Sequence, residues 1–368
     1  MINNIINLFA KKSDVVGIEI NPQKINIAQI VKQGQQYKLL KNVSAVVPEG
    51  IYEEGEIVDS LSLSELIKST FKDNRISAKQ VIAAVPMREA IIRIIPVPAE
   101  LDEQELKDMI LVHEAGMHLP YPREEVDLDY SKLGYFMDED GIEKVNVLLV
   151  ATKKEVTDLY LEIFEQAELK MTVLEINSFA LIRTIKEQLR QFGSQEAVIL
   201  VDIEFDSTEI AIIVEGVPQF SRTVPIGTYQ MQDALDRGMG SPEFENMTLL
   251  SDISLIRTPQ DGDTMGSSQL DPGLSALLRV VEELTDELGR SINFYLNQTE
   301  DLEVAQMILA GPGASIGKID EFFTQRLNLP AMPVDPVAAL SLEVGNNVTP
   351  EERSGLGIAL GLGMRAVA

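Results

Sequence analysis

Two acidic residues stand at matching places in a repeated pattern. VGIEINPQKINIAQIVKQGQ (16–35) carries Glu19, and VDIEFDSTEIAIIVEGVP (201–218) carries Asp202, 183 residues further on. Each stretch reads as a strand, an acid, a polar turn and a second strand. A chain that writes this hairpin twice is expected to fold as two like halves facing each other across a cleft. A polyphosphate in that cleft would meet one turn from each half. Backbone N–H groups in such turns bind anions, and the two acids would hold a Mg2+ ion, commonly through water. The candidates for this chemistry are Glu19, Asn21 and Lys24 in the first turn and Asp202, Glu204, Ser207 and Thr208 in the second, with Glu19 and Asp202 as the metal pair. Other catalytic sets are missing. His113 and His118 are five apart and do not share an α-helical face as an i, i+4 ligand pair would. The sequence contains no Cys, no Walker A pattern, no Gly-x-Ser-x-Gly and no His-Glu-x-x-His.

The elements that must position these residues follow from patterning. Residues 15–47 read as three strands, VVGIEI, KINIAQIV and YKLLKNVSAVV. SLSELIKSTFKD (62–73) has helical apolar spacing. QVIAAVP and EAIIRIIPVPA are extended. Asp102 and Glu105 form a capping box, with Leu101 and Leu106 as its hydrophobic staple. That helix is expected to run to Pro120, because the residue before proline avoids the α region. KVNVLLVAT reads as a buried strand. Thr152 and Glu155 read as a second capping box, opening a helix striped by Val156, Leu159, Tyr160, Ile163, Phe164 and Ala167. With MTVLEI after it, this makes a strand–helix–strand unit. A second half opens near residue 196 and continues through GVPQFSRTVPIG, a long helix at about 275–297 and the strand VAQMILAG. Residues 240–273 are loop-like in composition and expected to be mobile. SGLGIALGLGMRA reads as a closing helix whose small residues allow close packing.

Composition narrows the class. Hydrophobic residues make up 45% of the 368, enough for packed cores, and with aromatics at 5% and no Trp those cores must be aliphatic. The formal charge of −27 repels nucleic acid and anionic lipid. No apolar run reaches the ~18 residues of a membrane span. MINNIINLFAKK has apolar residues near helical spacing but lacks the features of a signal peptide. It reads as a short helix on its own domain, with a partner-docking or membrane-surface segment as the sharper alternative.

The two facing hairpins resemble the layout of actin-like ATPases such as hexokinase, actin and the division protein FtsA. LAGPGASIGKID extends the resemblance. It implies that Gly311, Pro312 and Gly313 approach a nucleotide sugar and α-phosphate, and that Glu287 and Arg290, sharing a helix face at i, i+3, border the adenosine. A narrower resemblance covers roughly residues 10–368. HEAGMHLPYPREEVDLDY (113–130), VLLVATKKEVTDLYLEIFEQAELK, INSFALIRT, TVPIG and RSINFYLNQ resemble, in order, the type IV pilus assembly protein PilM family. That resemblance implies an α/β, duplicated actin-like fold with a small inserted α+β subdomain. It also implies a cytoplasmic location, ATP binding, and a partner in the short cytoplasmic tail of the inner-membrane protein PilN. The expected domains are 14–76 with 151–195, an insert at 77–150, a second core at 196–230 with 300–368, and a helical and loop subdomain at 231–299. The closing helix is allowed to pack back on the first domain.

The turns depart from the family. Its first turn commonly reads Asp-Ile-Gly-Ser-Ser-Ser, whereas this chain has Glu19-Ile20-Asn21-Pro22-Gln23-Lys24, and Pro22 removes an N–H. The second turn replaces Asp-Ile-Gly by Asp202-Ile203-Glu204 and adds Asp206. A carboxylate about 5 Å from a phosphate charge costs roughly 3 kcal/mol at an effective dielectric near 20, about a hundredfold in affinity. ATP with Mg2+ is therefore expected to bind weakly, and turnover to be poor. The leading expectation is a scaffold of the pilus machine that binds the PilN tail, touches pilus motor components, binds no nucleic acid and is compatible with an oligomer. An ATP-turning actin-like kinase or ATPase and an FtsA-like filament protein stand as alternatives. The tail is expected in a groove within 77–150, with Ala84 and Tyr121 as its candidate contacts.

Overall fold

A computed structural model describes residues 14–34, 36–240, 250, 253–256, 271–299, 302–344 and 348–367. The N-terminal MINNIINLFAKK and most of the segment 240–273 expected to be mobile lie outside them. The strand pattern is as expected at the start of the chain. β1 (Val15–Ile20), β2 (Lys24–Gln33) and β3 (Gln36–Val46) form an antiparallel meander. A short ribbon follows, β4 (Tyr52–Glu53) and β5 (Glu56–Ile57), then α1 (Ser60–Asp73) and β6 (Gln80–Val85), which lies parallel to β1.

The chain then leaves this sheet for a smaller one of β7 (Ala90–Pro98), β8 (Val126–Met137) and β9 (Glu143–Lys153), in order β7-β9-β8. Between β7 and β8 lies α2 (Glu103–Asp108), whose Asp102–Glu105 capping box is formed. The expected continuous helix to Pro120 is interrupted, because Met109–Glu114 winds as a π-helix. β9 is not buried throughout. Val145, Val147, Leu149 and Ala151 are inside, while Leu148 and Val150 on the other face are half-buried.

After β9 come α3 (Lys154–Gln166), β10 (Lys170–Ile176) and α4 (Asn177–Thr184). Two expectations fail here. Lys153 is the cap of α3 and makes no side-chain capping bond, since Thr152 still belongs to β9 and its hydroxyl donates to the Glu89 carbonyl at 2.7 Å. β9 and β10 also do not form one strand–helix–strand unit. β10 pairs with β6, so the order of the first sheet is β10-β6-β1-β2-β3. The pattern identified the elements correctly but not the sheet each one joins.

The second sheet repeats the first. β11 (Glu196–Ile203), β12 (Thr208–Val214) and β13 (Val217–Val224) make a meander. Then follow α5 (Thr228–Met239), α6 (Pro272–Leu296), β14 (Glu303–Ala310), α7 (Ile319–Leu327) and β15 (Ala331–Pro333), giving the order β13-β12-β11-β14-β15. Asp271 caps α6, so the helix begins inside the stretch expected to be loop. β11 is buried on both faces. Val198 and Leu200 join the core beneath the first sheet, and Ile199, Val201 and Ile203 join a second core with α6.

The chain closes with α8 (Gly357–Arg365), which packs on β1, β2 and α4. A Cβ at Gly17 would stand 2.3 Å from the Gly363 nitrogen, and one at Gly361 would stand 1.9 Å from the Ala180 carbonyl oxygen. The small residues thus bring this helix to backbone contact with the first half. No helix among the described residues is long and apolar enough to cross a membrane.

Candidate functional site

Glu19 and Asp202 end the first strands of the two meanders, and the chain treats them differently. Opposite Glu19 in the register is Asn26, whose amide donates to Oε2 at 3.1 Å, while Asn21 donates to Oε1 at 3.1 Å. Burial pushes the Glu19 carboxyl above its ordinary range, and Asn26, Lys24 and Asn21 pull it part of the way back. Opposite Asp202 is a second acid, Glu209. Neither Asp202 oxygen meets a hydrogen-bond donor. Burial, then the charges of Glu209 and Glu19, push Asp202 well above the carboxylate range, with Glu204 beside it easing this in part. Glu204 is raised well above its ordinary value by burial and by Asp202 and Glu19, against the pull of Lys24. Glu209 is pushed up to about 7, mainly by burial, although the Met87 N–H and the Arg88 guanidinium hold it down.

The first turn is closed upon itself, and the second is tied to α5. In the first, Asn21 N–H donates to the Lys24 carbonyl at 3.1 Å, and the N–H groups of Gln23 and Lys24 donate to Asn21 Oδ1 at 3.0 and 2.9 Å. Pro22 has none to give. Every N–H from Asn21 to Lys24 is therefore spent inside the turn. In the second, Glu204 N–H donates to the Ser207 carbonyl at 2.9 Å, and the carbonyls of Glu204 and Phe205 accept from Thr228 and Tyr229 at the start of α5. Gly227, in TVPIG, permits this seating, since a Cβ there would come within 2.6 Å of three backbone atoms of the turn. The donors needed by a phosphate are used up in the first turn, and carboxylates crowd the second. The first turn thus has no N–H left to offer a phosphate. Nor do three His, Asp or Glu side chains converge as a metal site among the described residues.

The turns open on a cavity of about 520 Å³. Of the expected site residues, Glu19, Asn21, Glu204 and Ser207 line it. Asp202 and Thr208 lie buried beside it, and the Thr208 hydroxyl donates to the Ile226 carbonyl at 2.6 Å. Lys24 is half-buried, with its ammonium near Gly355. Glu287 and Arg290 belong to a different place. Glu287 pairs with Arg222 at 2.6 Å and with Arg290 at 2.5 Å on the outer side of the second half. Arg290 lines a separate groove between α6 and α7. Gly311 and Gly313 lie against the end of β11, where a Cβ at Gly311 would stand 2.6 Å from Asp202 Oδ1 and from the Ile203 carbonyl oxygen and one at Gly313 2.3 Å from the Ile203 side chain, with Pro312 buried between them. Their missing side chains are explained by packing of β14 on β11. Sequence reasoning missed the buried Glu209, which also lines the cavity, and Arg88, which reaches Asp206 at 3.1 Å, the Ser207 hydroxyl at 3.4 Å and the Gly55 carbonyl at 2.6 Å. The signal for Arg88 was its place just beyond the carboxyl end of β6, where open parallel strands commonly place their sites.

A second groove, of about 580 Å³, lies between the small sheet and the edge of the first. β8 and β10 are the edge strands on its two sides. Leu148, Val150, Leu174 and Phe179 give it half-buried apolar walls, and Glu175, held by Arg183 at 2.7 Å and Arg365 at 2.9 Å, stands at one side. Ala84 does not line it. That residue is 2% exposed in the core of β6, a correction to its place as a partner contact. Tyr121 lies outside both cavities, partly exposed, with the Lys153 ammonium 5.1 Å from its ring centre.

The sequence profile described as type IV pilus assembly protein PilM matches residues 17–249 and 270–367. The chain belongs to the PilM family. Its fold is actin-like. A chain of the PilM–PilN type IV pilus biogenesis complex superposes with a TM-score of 0.77 at 22% identity, over 97% of this chain and 99% of that one. The ethanolamine utilization protein EutJ of Carboxydothermus hydrogenoformans matches at TM-score 0.52 and 13% identity, over 95% of this chain and 88% of its own. MreB5 of Spiroplasma citri, bound to AMPPNP, matches at TM-score 0.50 and 13% identity, over 89% and 94%.

Proposed function

We propose that this member of the family is a cytoplasmic scaffold of the type IV pilus machine that holds the tail of PilN and does not turn over ATP. The observation that carries the reading is the groove between β8 and β10. It offers an apolar floor between two edge strands, and an extended tail can add to such an edge through main-chain bonds while its alternate side chains fill apolar pockets. The protein would sit at the inner membrane through that partner, alongside the motor components the pilus requires. The spent N–H groups of the first turn and the buried carboxylates of the second favour a scaffold over an ATPase.

Leu148 is the residue for the test, because it faces the groove and belongs to no core cluster. Calorimetric titration with a PilN-tail peptide is expected to give saturable binding, and Leu148→Asp is expected to weaken it at least tenfold, about 1.4 kcal/mol, with little change in melting temperature. Unchanged affinity in a folded Leu148→Asp variant would move the partner surface elsewhere. Mg·ATP added to the same protein is expected to give weak or no heat and slow hydrolysis, and micromolar affinity with steady turnover would reverse the reading of the cleft.

A further inference from the structure

The cavity between the two turns has the chemistry of a cation site. Its volume of about 520 Å³ lies within the ~300–1,000 Å³ of small-molecule pockets. Nine of its lining side chains are carboxylates and two, Arg88 and Lys153, are cations. Both cations are engaged, Arg88 with Asp206 at 3.1 Å and Glu89 at 3.8 Å, and Lys153 with Glu155 at 3.0 Å. The other six carboxylates have no cationic side chain within ion-pair distance among the described residues.

Glu209 gives an independent sign of a missing ligand. It lines the cavity, is 3% exposed, and uses Oε1 to accept the Met87 N–H at 2.6 Å. Its Oε2 is buried and has no partner. An unsatisfied buried carboxylate oxygen is rare and costly, and points to a group that binds there. A wall of the cavity runs along α3 from the exposed Glu155, Asp158 and Glu162 to half-buried Leu159 and buried Tyr160. The cavity thus joins a buried acidic end to an acidic mouth along an apolar and aromatic side.

We propose that this cavity binds a linear di- or polyamine, one ammonium donating to Glu209 and the alkyl stem lying along Tyr160 and Leu159 towards the acids of the mouth. An ammonium group brings three donors and no acceptor, which suits a carboxylate lacking a donor. A methylene stem gains by leaving water beside Leu159, and an ammonium near a tyrosine face gains from the ring's quadrupole. A phosphate chain would meet the opposite field.

The inference rests on the reading that nucleotide phosphates do not occupy the cleft, so its test carries separate arms. The full chain is titrated calorimetrically with putrescine, with spermidine and with MgCl2 at matched ionic strength. Saturable one-to-one binding of the amines, not reproduced by Mg2+, is expected. Glu209→Gln should weaken it about tenfold, and Asp158→Asn, at the exposed mouth, a few-fold, which keeps the test alive if the buried variant does not fold. Glu187→Gln, exposed and paired with Arg190 elsewhere, should change nothing. Equal affinity in all variants, or many amines bound per chain, overturns the proposal in favour of general attraction to an acidic protein. Mg·ATP that binds and expels spermidine overturns both readings, whereas absence of binding by either overturns the amine site alone.

Discussion

Glu209 shows how one residue sets a pH dependence. Its ordinary carboxyl value of 4.5 is raised to about 7 in the folded protein. The folded state therefore keeps a proton that the unfolded state releases, and stability is fully present below about 4.5 and lost as pH rises through about 7. One pKa unit is about 1.4 kcal/mol, so this residue alone removes up to ~3 kcal/mol across that window. Asp202, Glu204 and Glu19 are shifted in the same direction and steepen the fall. Chemical denaturation is expected to show a more stable protein at pH 5 than at pH 8. Glu209→Gln, which keeps an acceptor for the Met87 N–H, should flatten the profile and raise stability at pH 8 by about 1–3 kcal/mol. A flat wild-type profile would mean that water reaches these carboxylates. Glu19, Asp202 and Glu204 could be suspected from the sequence, because each sits at a strand end or in a turn. Glu209 and Arg88 were missed: Glu209 reads as one more polar residue in the strand β12, and Arg88, although just beyond the carboxyl end of β6, is a lone cation that only the fold brings to Asp206.

The same substitution at two glycines should act oppositely at the level of elements. Gly361 in α8 faces the Ala180 carbonyl of α4, where a Cβ would stand at 1.9 Å. Backbone rather than a flexible side chain is in the way, so Gly361→Ala must push the closing helix off α4, at a cost of about 2–3 kcal/mol. Gly116, exposed in the short helix Ala115–His118, has nothing within 4 Å of an added Cβ, and Gly116→Ala should stabilise by about 0.5–1 kcal/mol through helix propensity. Thermal unfolding of both variants checks the pair, and a harmless Gly361→Ala would show that α8 is not packed as described. The elements themselves were largely legible, because periodicity is local. The Asp102 capping box is formed, and the repeated hairpins are the opening strands of two equivalent sheets. Sheet membership was not legible. Thr152 has the sequence signature of a cap, yet β9 extends through it because β7 and β8 pair with that strand to its end, and such long-range pairing leaves no trace in a short window.

At the scale of the molecule, two sheets of one topology share a core, with residues of β11, β12 and β14 packed in the same cluster as β1, β2 and β6. Across the cleft, the turn after β6 ties the halves twice, through Met87 N–H to Glu209 and Arg88 to Asp206. A shared core predicts one cooperative unfolding transition rather than two, and the ties should add to it without creating it. Arg88 and Asp206 are each about a quarter exposed, so their mutual energy lies above that of a fully solvated pair and well below that of a buried one. Arg88 also holds the Gly55 carbonyl of the β4–β5 ribbon at 2.6 Å, so the single Arg88→Ala change removes more than the cross-cleft contact. A double-mutant cycle separates these contributions. Arg88→Ala, Asp206→Asn and the double variant, compared by urea unfolding, are expected to show a coupling of about 1 kcal/mol, with a single transition in every variant. Additivity within ~0.3 kcal/mol would show that the shared core alone holds the walls together and that Arg88 serves the ribbon. A second transition in Arg88→Ala would show the reverse, that the halves are independent folding units clasped chiefly at this turn.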